Sequence, residues 1–156
     1  MQWNCLIWGN RVMSVKLFEE YLEDGIAKTQ SPDFPRARSL KNEAENSYKI
    51  LKQFIDKIGI NNENSNYIIK NAYDIIMELI RAKMLKEGFS SSGKGAHEAE
   101  VAYLKKLDFK EKEVNFIDEL RYFRNGILYY GKSFDQEYAL KVLDILKSIY
   151  ESLSKL

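Results

Sequence analysis

Residues 65–87 read SNYIIKNAYDIIMELIRAKMLKE, and this stretch decides the fold class. Ile68, Ile69, Ala72, Tyr73, Ile76, Leu79, Ile80 and Met84 recur at spacings of three and four, which puts them on one face of an α-helix. The polar run Asn61-Asn62-Glu63-Asn64-Ser65 supplies capping residues ahead of it, and Gly88 gives a stop behind it.

Outward from this helix the same period continues in both directions. Upstream, Ala37, Leu40, Ala44, Tyr48, Leu51, Phe54, Ile55 and Ile58 form the inner stripe of a helix that starts at Pro35 and ends before Gly59. Ser31-Pro32-Asp33-Phe34-Pro35 holds both prolines and is the clearest break. Before it, Leu17, Phe18, Tyr21, Leu22 and Ile26 predict a first helix over about 14–28. Downstream, the loop Phe89–Gly95 (FSSSGKG) leads to a short helix over about 96–107. A fifth helix covers about 111–130 and breaks at Gly131. Ser133 or Asp135 then caps a last helix to about Ser154, with Ala139, Val142, Leu143, Leu146, Ile149, Tyr150 and Leu153 inside.

No segment alternates polar and apolar residues over a strand's length, so no sheet is expected. Helices joined by short turns favour antiparallel neighbours. The expected fold is an all-α, up-and-down antiparallel bundle of five to six helices, in one domain over 1–156. Residues 1–12 (MQWNCLIWGNRV) either precede a start at Met13 or pack on the bundle through Trp3, Leu6 and Trp8. They lack a basic lead-in and the roughly 20 apolar residues of a membrane span, so neither a signal peptide nor a membrane association is expected.

The chain has 24 basic and 23 acidic residues, leaving no global field to draw it to nucleic acid or a membrane. One cysteine, Cys5, rules out an internal disulfide and fits a reducing, cytoplasmic location. With one His and one Cys, a His/Cys zinc site is excluded, and no cofactor is expected. Lys94 lies between Gly93 and Gly95 without the spacing or the Ser/Thr of a phosphate-binding loop.

The chemistry concentrates in Asp118–Lys132, DELRYFRNGILYYGK. Arg121 and Asn125 share a helix face, and Asp118 or Glu119 is close enough to pair with Arg121 or Arg124. Tyr122, Phe123, Tyr129 and Tyr130 form an aromatic run that suits a dimer anchor or, interleaved with arginine, base stacking. His97 is the only histidine and sits at the start of the short fourth helix. It either packs there or reaches the Arg124 region in three dimensions.

Three groups of residues resemble the HEPN superfamily of helical domains (higher eukaryote and prokaryote nucleotide-binding). They are Pro35-Arg36-Ala37 leading into Ala44-Glu45-Asn46-Ser47-Tyr48; Asn71-Ala72-Tyr73-Asp74 through Leu79-Ile80-Arg81-Ala82 to Gly88 and Gly95-Ala96-His97-Glu98-Ala99-Glu100; and Glu119-Leu120-Arg121 with Arg124-Asn125. The resemblance implies a dimer whose Arg-Asn motifs meet at the interface, and metal-independent RNA cleavage in active members. There a histidine follows the Arg-Asn pair; here the matching positions hold Tyr129, Tyr130 and Gly131. With an unperturbed pKa of about 10, tyrosine is a poor base at neutral pH. The expectation is therefore a nucleotide- or RNA-binding module, working as a homodimer or beside a nucleotidyltransferase-type partner. The alternatives are a toxin-like endoribonuclease with an atypical third residue, and a structural dimer without ligand. The residues carried over are Arg124, Asn125 and Tyr129 as the catalytic set, with Arg121, Tyr130, His97 and Lys132 for binding.

Overall fold

The computed structural model describes residues 14–155, apart from the side chains of Leu128, Tyr129 and Tyr130. Met1–Met13, with Trp3, Leu6 and Trp8, lie outside the described residues. The fold is an all-α bundle. Its helices are α1 (Phe18–Glu23), α2 (Phe34–Ile58), α3 (Ser65–Lys86), α4 (Ala96–Tyr103, continued by a 3₁₀ turn over Leu104–Leu107), α5 (Glu111–Tyr130) and α6 (Gln136–Leu153). None of them is long and apolar enough to cross a membrane.

α3 is the hub. It forms a hairpin with α2 and also packs on α6, α4 and α5. For that reason its burial goes beyond the single face that the spacing predicts: Ile75, Met77, Ala82 and Leu85 are buried as well. The turn into α3 is held by its asparagines. Asn61 and Asn64 accept from each other's backbone N–H at 2.9 and 3.0 Å, and the buried Ser65 hydroxyl donates to the Asn61 carbonyl at 2.6 Å. α2 begins at Phe34, where the Asp33 carboxylate accepts from the Arg36 N–H at 3.1 Å. Of the two candidate caps for α6, Asp135 takes the role and accepts from the Tyr138 N–H at 2.9 Å. Asn66 of α3 pins the α5–α6 connection by donating to the Lys132 carbonyl at 2.8 Å and accepting from the Phe134 N–H at 2.9 Å.

Two expectations are corrected. The first helix is one and a half turns long, because the chain turns at Asp24 and at Gly25, whose φ is +72°. There is also a small antiparallel ribbon. β1 (Ala27–Thr29) pairs with β2 (Phe89–Ser91), with Ala27 opposite Ser91 and Thr29 opposite Phe89. Residues read as the end of a helix and the start of a loop thus satisfy each other's backbone groups, which would otherwise need solvent. Two flanking bonds extend the ribbon: Gln30 N–H to the Gly88 carbonyl at 2.9 Å, and Ser92 N–H to the Ile26 carbonyl at 3.1 Å. Phe18, Phe89 and Tyr103 pack against one another beneath it, with centroids 5.0–5.7 Å apart.

Candidate functional site

Three helices and the ribbon meet in one polar cluster. α3 contributes Tyr73, Asp74 and Arg81; Tyr73 and Arg81 are about two turns apart and so lie near one another along the same side. α4 contributes His97, Glu98 and Glu100, α5 contributes Asp118, Arg121 and Arg124, and β2 contributes Ser91.

Each guanidinium already holds a carboxylate. Arg81 Nε donates to Glu100 Oε1 at 3.0 Å, which also accepts from the Ser91 hydroxyl at 2.9 Å. Arg121 Nε donates to Asp118 at 3.0 Å, and its Nη1 lies 3.5 Å from Glu98. Arg124 Nη2 donates to Asp74 at 3.0 Å, linking α5 to α3. Burial works against the charge on Arg121, but Asp118 and Glu98 outweigh it and hold its pKa above the ordinary value. Glu100 does the same for Arg81.

Tyr73 is the centre of the cluster. It is buried, and the Arg124 guanidinium stands over its ring at 5.4 Å from the centroid. Its hydroxyl lies 3.2 Å from His97 Nδ1, and Arg81 Nη2 lies 3.5 Å from the other ring nitrogen of His97. Arginine has only donors to offer, so at Nε2 it can only donate, while Nδ1 and the Tyr73 hydroxyl can each donate or accept, as the tautomer decides. Burial pushes the Tyr73 phenol up to about 12, the neighbouring arginines opposing, so the ring stays protonated at neutral pH.

The sequence-predicted residues do not all meet at one point. His97 and Arg124 both converge on Tyr73, His97 at its hydroxyl and Arg124 over its ring. Arg121 lies deeper: its side chain is 11% exposed and stacks on Tyr122 at 4.5 Å, so it ties α4 to α5 more than it faces solvent. Asn125 is half-buried, and its side chain makes no hydrogen bond among the described residues. Lys132 is exposed beyond the end of α5, and its aliphatic stem covers Gly126. The side chains of Tyr129 and Tyr130 lie outside the described residues. Phe123 is used within the chain, packed against Phe134 and Tyr138 at 4.8 and 5.2 Å, which leaves Tyr122, 49% exposed, as the described outward member of the aromatic run.

Tyr73, Asp74, Arg81 and Glu100 are the members that spacing on the fifth helix does not reveal. The signal available was polar residues on the apolar sides of the third and fourth helices. The Nε of Arg124 and the Oε2 of Glu100 are buried without a hydrogen-bond partner among the described residues. Among the described residues no group of His, Cys, Asp or Glu side chains is placed to hold a metal ion. No protein-family model, curated protein or solved structure matches the chain.

Proposed function

We propose that the chain is a HEPN-like nucleotide- or RNA-binding module that holds a phosphate at Arg124, acting as a homodimer or beside a nucleotidyltransferase-type partner. The observation that carries this reading is that Arg124 and His97 both converge on Tyr73, the guanidinium over its ring and the imidazole at its hydroxyl. A guanidinium is a planar fork suited to phosphate oxygens, and here it is held against an aromatic ring beside an imidazole. Arg124 keeps a quarter of its side chain exposed, and its counter-ion Asp74 is 53% exposed, so the pair opens to solvent on one side.

The test is binding of a short single-stranded RNA followed by fluorescence anisotropy. Arg124→Ala is expected to weaken binding about tenfold or more, the loss of one charge-assisted contact. Wild-type binding is expected to weaken as salt rises from about 50 to about 200 mM. Unchanged affinity in Arg124→Ala would reduce the cluster to structural ion pairs and leave the structural dimer as the reading.

One observation favours a second reading, metal-independent RNA cleavage. His97 supplies, from α4, the imidazole that α5 lacks. Binding without turnover supports the first reading; turnover that vanishes in His97→Ala supports the second.

For the assembly, the exposed Tyr122 ring on α5 supports an interface on that helix. Sedimentation at micromolar concentration is expected to give the mass of a homodimer, and a monomer would remove α5 as an interface.

A further inference from the structure

A second place on the surface has a different electrostatic character from the arginine–histidine cluster. A cavity of about 460 Å³ opens between the first turns of α2 and the last turns of α3. Its floor is Ala37 and Ala82, both buried, whose small side chains leave the room that a larger residue would fill. Phe34 stands at one lip, 55% exposed. It is fixed there because the Asp33 N–H donates to the Leu85 carbonyl at 3.0 Å, joining the start of α2 to the end of α3 beside Lys86.

The remaining lining is Arg38, Lys41, Asn42 and Lys86. Among the described residues no carboxylate lines the cavity. Lys41 is shared with Glu45 at 3.5 Å. Arg38 and Lys86 have no ion-pair partner among the described residues. That separates this groove from the central cluster, where every arginine holds a carboxylate of its own. The positive end of α2 and the negative end of α3 lie side by side here and largely cancel, so Arg38 and Lys86 set the local field.

We propose that this groove is a second ligand site, for a small phosphate monoester that carries a flat aromatic ring. Arg38 and Lys86 offer charge-assisted donors to the phosphate dianion. Phe34 offers an exposed ring for stacking, and the Asn42 amide can read a donor or acceptor on the ring edge. The volume lies in the range of small-molecule sites. The site is separate from Arg124 and does not depend on the function proposed for it.

The experiment is calorimetric titration of the full chain with AMP and with phenyl phosphate, against inorganic phosphate and adenosine. At least one of the first pair is expected to bind more tightly than either control, and which of them binds identifies a nucleotide or a simpler aryl ester as the source. The double variant Arg38→Glu/Lys86→Glu should lose about tenfold or more in affinity, and Phe34→Ala about tenfold. All three positions tolerate replacement because Arg38, Lys86 and Phe34 are exposed. The titrations are repeated in an Arg124→Ala background, which removes the phosphate contact proposed for the central cluster, and binding at the groove should persist there. The proposal is overturned if neither ring-bearing ester binds at millimolar concentration, or if inorganic phosphate binds as tightly as they do. It is equally overturned if the double variant binds like wild type, including the case where Arg124→Ala abolishes binding instead.

Discussion

Replacing Gly88 with alanine is expected to destabilise the protein by about 2–4 kcal/mol, through two costs that add. The first is conformational. Gly88 has a φ of +83°, in the left-handed region where an L side chain crowds its own carbonyl. The second is steric. A Cβ at this position would sit 2.7 Å from the carbonyl oxygen of Gln30, which is backbone and cannot rotate away. Nor can the two segments part cheaply, because the Gln30 N–H donates to the Gly88 carbonyl at 2.9 Å and the β1–β2 pairing follows directly. Gly93 is the internal control. Its φ is +77°, but nothing lies within 4 Å of where its Cβ would stand, so Gly93→Ala should cost only the conformational part, about 1–2 kcal/mol. Urea unfolding of the two variants measures the difference. Equal losses would mean that the backbone around Gln30 yields to the methyl.

Ile76→Ala is expected to cost about 3–4 kcal/mol, near the upper part of the range for removing a buried branched side chain. Ile76 is fully buried at the middle of α3, the helix that packs on α2, α6, α4 and α5. A cavity at such a position is walled by several elements, each already fixed by its other contacts, so the site collapses poorly. Ile76→Val removes one methylene and should cost about 1 kcal/mol. Thermal and urea unfolding provide the measurement. A loss below about 1 kcal/mol for the alanine variant would show that α3 shifts to close the space.

Most of the helical framework was legible from residue spacing. The long apolar periods of α2, α3 and α6 leave few alternatives, and Asp33, Gly59, Asn61, Asn64 and Asp135 mark ends where they cap or turn the chain. The ribbon was not legible. Three-residue strands are too short to show alternation, and Ala27-Lys28-Thr29 and Phe89-Ser90-Ser91 acquire strand character only by meeting each other across the fold. The same limit applies to the polar cluster. The spacing on α5 brings Asp118 or Glu119 within reach of Arg121 or Arg124 and leaves open which pair forms; the structure pairs Asp118 with Arg121. The spacing does not give the depth of Arg121, or that Arg124 takes its carboxylate from α3 and not from its own helix. Arg81 and Glu100 read as surface charges on their own helices, and their partnership exists only once α3 and α4 have packed.

The ribbon also bears on the order in which the chain acquires its structure. The α2–α3 hairpin brings together segments close in sequence and closes a short loop, whereas β1 and β2 are separated by the whole of that hairpin. Contacts between distant segments repay their loop-closure entropy late, so the hairpin is expected to form early and the ribbon last. Contacts made after the transition state govern how fast the native state opens, not how fast it forms. The three-residue pairing that anchors α1 and the Ser91–Glu100 bond is therefore expected to act as a brake on unfolding: a variant that breaks it should open faster while refolding at nearly the same rate.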